Sequence, residues 1–356
     1  MKEYLYFLPK KDFFKKGYRG SVIHALGIVQ GFKDSNIPFE VLHFGGFEEF
    51  SNNQNEMFES RINSFFYCLN LLKDNSNRLL IRYSFSNIFY IWMLLILSRN
   101  RENICLEVNT SASMHRSSKL KFRLVSILEK GLFNRTGLIY VVSSRAKEFL
   151  LNLNPKWKLK IVVIPNALIK SSSVNLEEGV TKRLVYFGST HGYYDFEKLV
   201  NWLGKFNSTS KSKIELHVYG NDDNGVIEGI ISIGNTDVKY WGRYNNADIY
   251  KILNDRDILI LPYKSGTIAD FGSPTKLFEY MSMKLPILAT NVGQINDLIK
   301  DNFNGLIYFD YDSFEAKLRS LISNDNLCIS LGENASNDVC ENHTWKKRIT
   351  ELTSRF

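Results

Sequence analysis

The feature that most constrains this chain is its rhythm. Apolar, strand-like runs alternate with helix-period segments along its whole length, and the alternation restarts after one polar stretch. A parallel strand needs a long crossover before its neighbour, so this rhythm specifies α/β architecture with parallel sheets. In the first half, strands are expected at residues 4–8, 39–44, 78–83, 104–108, 138–142 and 160–164. Between them, residues 21–33 carry Val22, Ala25, Leu26, Val29 and Phe32 at helical spacing, and residues 119–133 form a second such helix with interspersed basic residues. The stretch KSSSVNLEEGVTKR (170–183) is polar and aperiodic and reads as a linker. Strands then resume at 184–187, 214–219, 238–241, 257–261, 287–290 and 305–308. The simplest architecture is two Rossmann-like domains, 1–169 and 184–342, with a terminal helix in 343–356 expected to pack back on the first.

Composition agrees with two folded domains. The chain has 356 residues, which suits two domains, and its 44% hydrophobic and 23% charged content excludes a disordered or fibrous protein. Forty-five Lys and Arg oppose 37 Asp and Glu, so the net charge of +8 suits a polyanion, an anionic membrane or a phosphorylated substrate. The basic residues are scattered through both halves and no nucleic-acid motif occurs, which argues against nucleic acid as partner. The four cysteines form no CxxC pair and have no histidine at metal-ligand spacing, so a reducing compartment and no structural metal are expected. The most apolar run, SNIFYIWMLLILS (86–98), falls short of the ~20 residues a membrane span needs and is expected to be a buried helix. The N-terminus is too short in apolar residues for a signal segment, so a cytoplasmic protein is expected.

The chemistry concentrates in residues 257–308, which read as strand, long loop, helix, strand. A loop leaving the carboxyl end of a parallel strand is where ligands bind in open α/β sheets. Ser273 suits an N-cap, Pro274 a first helical position, and the amides of Thr275 and Lys276 together with the Lys276 ammonium then make an anion site. Glu279 lies about one turn further on. A carboxylate would repel phosphate, so it is better placed to accept hydrogen bonds from a sugar hydroxyl. Together these groups describe a nucleotide-diphosphate site, the alternative being a capped helix whose glutamate faces solvent.

The run SPTKLFEYMSMKLPILATNVGQINDLIKDNFNGLIY resembles the signature of glycosyltransferase family 4, whose members are retaining enzymes of GT-B fold. LVYFG (184–188), ELHVYG (215–220), KYWG (239–242) and VIPN (163–166) resemble further motifs of that family, in the same order. The resemblance implies two Rossmann-like domains with parallel sheets facing across a cleft, an acceptor-binding N-terminal domain and a nucleotide-sugar-binding C-terminal domain. It implies that Glu279 binds the donor ribose and that Gly188, Gly220, Arg243, Ser273, Pro274, Thr275 and Lys276 belong to the donor nucleotide site. Many members carry an earlier glutamate near the transferred sugar. Here Phe271 stands at that spacing and Asp270 precedes it, so Asp270 is the candidate replacement. The family's Arg and Lys after the first C-domain strand are absent from GSTHGY (188–193), which leaves the diphosphate to Lys276, nearby amides and Arg243 or Lys264.

In the first half, the GYRGS loop follows strand one, and Gly17, Arg19 and Gly20 resemble a loop that approaches the donor phosphate and acceptor. His115 resembles a cleft histidine near the transferred sugar, which with Asp270 and Lys276 makes the expected catalytic set. His24 reads as a packed core histidine, and Glu107 as a cleft carboxylate or a strand-terminal residue. No Asp-x-Asp metal motif is expected at a strand end, so metal-independent transfer without a cofactor is the expectation. Basic and aromatic residues at 10–16 and 119–123 suggest a lipid-linked saccharide acceptor and an anionic membrane surface as partners. UDP-sugars are preferred over GDP-sugars as donors. A sugar-nucleotide epimerase or hydrolase of the same fold, or a non-catalytic homologue that binds a partner, are the alternatives.

Overall fold

The computed structural model describes residues 3–10, 13, 20–44, 55–57, 60–114, 120–169, 176–222, 224–234, 236–244 and 249–356. They fall into two compact units: Met1–Ile169 with Phe271–Thr275 and Thr344–Phe356, and Lys170–Asp270 with Lys276–His343.

The first unit runs β1 (Tyr4–Leu8), α1 (Gly20–Asp34), β2 (Phe39–His43), β3 (Asn55–Met57), α2 (Arg61–Leu71), β4 (Arg78–Arg82) and α3 (Ile88–Leu97). It continues through β5 (Ile104–Val108), α4 (Leu120–Arg135), β6 (Leu138–Val141), α5 (Ser144–Leu153) and β7 (Ile161–Val163). All seven strands are parallel, in the order β3-β2-β1-β4-β5-β6-β7. β1 and β5 are buried at every position, as strands covered on both faces must be. Short β3 has no counterpart among the expected elements: it is a three-residue edge strand, NEM, with no apolar run to announce it.

The second unit runs β8 (Arg183–Phe187), α6 (Phe196–Thr209), β9 (Leu216–Tyr219), α7 (Val226–Ser232), β10 (Val238–Tyr240), α8 (Ile249–Ile252) and β11 (Asp257–Leu261). Then come α9 (Thr275–Met281), β12 (Ile287–Thr290), α10 (Ile295–Leu298), β13 (Leu306–Tyr308), α11 (Tyr311–Ser323) and α12 (Asp325–Asn342). Its six parallel strands are ordered β10-β9-β8-β11-β12-β13. Both sheets therefore share the doubly wound 3-2-1-4-5-6 order, whose direction reverses at the strand pairs β1/β4 and β8/β11. Residues 176–183 run along this second unit, with the Gly179 amide donating to Asp255 at 2.8 Å and Lys182 paired to Asp325 at 2.5 Å.

Helix α13 (Trp345–Arg355), capped by Thr344, packs against α1 within the first unit. The contact explains two glycines of α1. A Cβ at Gly27 would stand 2.0 Å from the Trp345 ring, and one at Gly31 would stand 2.5 Å from Ile349. Trp345 fills that groove and is 2% exposed.

One expected feature is corrected. Residues 86–98 do not form a helix buried all round: α3 buries Ile88, Ile91, Leu94 and Leu95, while Phe89, Met93, Ile96 and Leu97 are exposed. The run is apolar on both faces, but only the stripe at helical spacing reaches the sheet.

Candidate functional site

The most constrained point of the second unit is the end of β8, beside the strand-order reversal. Gly188 follows the strand with φ +136°, a conformation that favours glycine, and its N–H donates to the Tyr219 carbonyl at 2.7 Å. The Lys276 side chain is laid across it: a Cβ at Gly188 would stand 1.8 Å from both Cε and Nζ of Lys276. Gly220, at the end of β9 with φ +144°, has no room for a side chain either, since a Cβ there would meet the Gly188 carbonyl at 1.9 Å. Gly188 thus clears the space for a lysine from α9 at the end of β8, and Gly220 leaves room for the Gly188 backbone.

Glu279 lies three residues beyond Lys276 on the same helix, which puts the two on one face. Burial pushes the Glu279 carboxyl above the ordinary carboxylate range, with the Lys276 charge opposing that rise. Burial in turn holds the Lys276 ammonium below the usual lysine range, with Glu279 opposing. The pair is poised: each charge is poorly solvated, and each gains from a polar ligand of opposite character. Tyrosines surround it. The Lys276 ammonium stands 5.9 Å from the centre of the Tyr186 ring, Tyr194 donates to the Tyr263 hydroxyl at 3.2 Å, and Tyr193 stacks on Tyr263 at 6.2 Å. Tyr244 packs on Phe187, and its hydroxyl is pushed upward by burial and by the Glu279 charge. None of these tyrosines was singled out from sequence, because a tyrosine at a strand end has no motif of its own.

The loop between β11 and α9 is closed from within. Asp270 is 8% exposed and accepts the Gly266 amide at 2.9 Å, while Thr267 donates to the Lys264 carbonyl at 2.8 Å. Asp270 therefore shapes its loop. Arg243 is exposed beyond β10 and donates from Nε to Asn221 at 3.0 Å. Lys264 is also exposed.

In the first unit a buried polar network runs from the sheet to the segment that precedes Lys276. Arg82, Glu107 and Tyr140 sit side by side on β4, β5 and β6. Glu107 is 0% exposed, accepts from the Tyr6 hydroxyl at 2.7 Å and Asn109 at 2.8 Å, and pairs with Arg82 and His24, each at 3.0 Å. Arg82 and His24 hold its carboxyl down to about 2 against the opposing effect of burial. His24 is hydrogen-bonded through Nδ1 to Asn166, and Asn166 bonds the Ser273 carbonyl through its side chain and the Ser273 hydroxyl through its backbone N–H at 3.0 Å. Ser143 adds a hydrogen bond to the Phe271 carbonyl at 2.8 Å. Thr275 completes this corner: a Cβ at Gly20 would stand 3.4 Å from its Oγ1. In the sequence His24 reads as a packed core histidine and Glu107 as a cleft carboxylate or a strand-terminal residue, with nothing to link them. Their partnership is long-range and has no local signal.

The structure thus groups Gly188, Gly220, Lys276 and Glu279 in the second unit, and Gly20, Ser273 and Thr275 in the first. Gly17, Arg19 and His115 lie outside the described residues. Glu129, buried on α4, accepts the Ala112 amide at 2.6 Å and so anchors the turn that leads toward His115. Two expectations change. Ser273 spends its hydroxyl on the Asn166 amide, and α9 begins at Thr275, so Pro274 stands just before the helix. An Asp-x-Asp triplet does follow a strand end, at Asp310–Asp312 after β13, but Asp310 caps α11 by accepting the Ser313 amide at 2.9 Å. A second triplet, Asp255–Asp257, is likewise engaged: Asp257 is a fork for Arg183 at 2.6 and 3.0 Å. Among the described residues, no cluster of His, Cys, Asp and Glu suits a metal ion.

Comparison with known proteins accords with this geometry. Residues 170–338 match the family model of glycosyl transferases group 1. An uncharacterized glycosyltransferase of Methanocaldococcus jannaschii is 24% identical over 252 residues, 67% of this chain and 63% of the relative. The match thus spans less than two thirds of that relative's length. Among solved structures, TarM aligns over 100% of this chain and 98% of its own at a TM-score of 0.75 and 12% identity. The apo form of the lipopolysaccharide outer core galactosyltransferase WaaB aligns over 100% of both chains at 0.69 and 16%. Anabaena HepE, in complex with UDP-glucose, aligns over 99% of this chain and 100% of its own at 0.69 and 13%. The chain has the two-domain GT-B fold, and its residues 170–338 are similar to glycosyl transferases group 1.

Proposed function

We propose that this protein is a retaining, metal-independent glycosyltransferase of hexosyltransferase type that uses a nucleotide-diphosphate sugar, with a UDP-sugar preferred over a GDP-sugar. The observation that carries the reading is Lys276 seated on side-chain-free Gly188 with Glu279 one turn away, beside the strand-order reversal of a doubly wound sheet. Lys276 meets the donor diphosphate, and Glu279 accepts hydrogen bonds from the ribose hydroxyls. Ligand binding relieves the poor solvation of both groups. The UDP-glucose held by HepE, a protein of the same fold, supports the choice of UDP.

The reaction breaks the bond between the anomeric carbon and the diphosphate oxygen and forms one to the acceptor oxygen. The acceptor proton passes to the leaving phosphate oxygen, so no protein base is required. Charge builds on that leaving oxygen, and a prepositioned ammonium in a site of low polarity lowers the barrier by several kcal/mol, about 2.7–4 for one such donor. Asp270 serves by fixing the loop before α9, and within the first unit the network from Glu107 through Asn166 fixes Ser273. The acceptor is a saccharide on a lipid pyrophosphate, and the setting is surface-polysaccharide assembly at the inner face of the cell membrane. WaaB, named for lipopolysaccharide, shares the fold.

The test is turnover of UDP-sugars with lipid-linked saccharides, the product anomer being read by NMR. Transfer with retained configuration, reduced about 100-fold or more in Lys276→Met, supports the reading. Donor hydrolysis or isomerisation that needs no acceptor would instead establish the epimerase or hydrolase alternative.

A further inference from the structure

The first unit has a face whose chemistry the donor site does not explain. The β4–β5 and β5–β6 connections cross the sheet in the opposite direction to the β1–β2 connection, so right-handed crossovers place α3 and α4 on the face opposite α1. Helices α2, α3 and α4 pack side by side there. Soluble proteins scatter exposed large apolar side chains singly. Here they crowd onto three adjacent helices: Phe66 is 64% exposed, Phe89 72%, Leu124 55% and Ile127 66%, with Met93 and Ile96 between them.

The charges on the same helices are of one sign. Arg61, Arg123, Lys130 and Arg135 are exposed, and Arg135 lies over the Trp92 ring at 4.7 Å. The only carboxylate in the three helices is Glu129, which is 1% exposed and turned inward onto the 112–113 amides. Among the described residues no helix is long and apolar enough to cross a bilayer. We propose that this α2–α3–α4 face docks the protein on an anionic lipid surface, with its apolar side chains in the headgroup boundary and its cations on the lipid phosphates.

Charge decides between lipid and a second copy of the chain. A two-fold interface sets each patch against itself, so Arg61, Arg123, Lys130 and Arg135 would face their own kind with no carboxylate between them. An anionic bilayer supplies the missing countercharge over the whole patch. This inference is independent of the donor reading, since it uses no residue of the Lys276 site.

The test is flotation of the full chain with vesicles of phosphatidylcholine alone or with about one-third phosphatidylglycerol, at low and high salt. The wild type should bind the anionic vesicles and release at high salt. The double substitution Met93→Glu/Ile127→Glu should weaken binding about tenfold or more, while Ile233→Glu, a change at an exposed apolar position of the second unit, should not. Circular dichroism and UDP-induced thermal shift should be unchanged in all variants, which separates this surface from the donor site. Equal binding to neutral and anionic vesicles, equal loss with Ile233→Glu, or a dimer that the double substitution breaks without any vesicle binding would overturn the proposal.

Discussion

Gly188→Ala is the sharpest perturbation of the candidate site because it adds one methyl group at its tightest point. The new Cβ would lie 1.8 Å from Cε and Nζ of Lys276, so the lysine must leave its seat. The fold survives that move, since the obstructing atoms end a flexible side chain. The backbone strain remains: φ is +136°, and an L side chain in that region costs about 1–3 kcal/mol. At about 2–4 °C per kcal/mol for a domain of this size, melting should fall by roughly 2–12 °C. The binding effect is separate. A displaced ammonium forfeits a charge-assisted contact with the diphosphate, about 1.5–3 kcal/mol, or ~10–150-fold in Kd. Calorimetric titration of UDP into wild type, Gly188→Ala, Lys276→Met and the double variant measures it. Because both changes remove the same contact, the double variant should bind no more weakly than Lys276→Met alone. Wild-type affinity in folded Gly188→Ala, or losses that simply add, would refute the assignment of Lys276 to the diphosphate.

Two further predictions concern the first unit. The Glu107 carboxyl is held at about 2 against 4.5, so its stabilising contribution is present above the unfolded-state value and is lost as pH falls from there toward 2. That difference corresponds to about 3 kcal/mol, so urea denaturation of Glu107→Gln should show both a lower stability at pH 7 and a flatter acid limb than wild type; equal acid limbs would refute it. Gly27→Ala drives a Cβ to 2.0 Å from the Trp345 ring and should destabilise the protein by about 1–3 kcal/mol by urea melts. In a Trp345→Ala background the same change should cost far less, and a full cost there would contradict the packing of α13 on α1.

The strand rhythm was legible because parallel strands buried on both faces must be mostly apolar, and β1, β5, β11 and β12 fall on the residues so read, with Glu107 and Asp257 as paired exceptions. Boundaries elsewhere moved by a residue or two, where strand ends dissolve into loops. β3 escaped because a polar edge strand takes its conformation from its neighbour, and the exposed half of α3 escaped because a run apolar all round does not say which face meets the sheet. At the candidate site, Lys276 and Glu279 were legible through helix spacing and the loop before them. The reason for Gly188 was not, since the glycine is needed by a lysine 88 positions later in the chain. The union of Glu107, His24, Asn166 and Ser273 was hidden for the same cause: each residue is ordinary locally, and the chain distance between them erases any motif.

On the proposed reading, α9 and the end of β8 bind a nucleotide diphosphate through Lys276 and Glu279. Thermal-shift titration of wild type and Glu279→Ala with UDP, GDP, ADP and CMP tests it most directly. Wild type should be stabilised by UDP above the other three, and the UDP shift should be lost in Glu279→Ala while its unliganded melting temperature is kept or raised, since burial disfavours the charged carboxyl. No shift of the wild type with any nucleotide, or an undiminished UDP shift in Glu279→Ala, would contradict it.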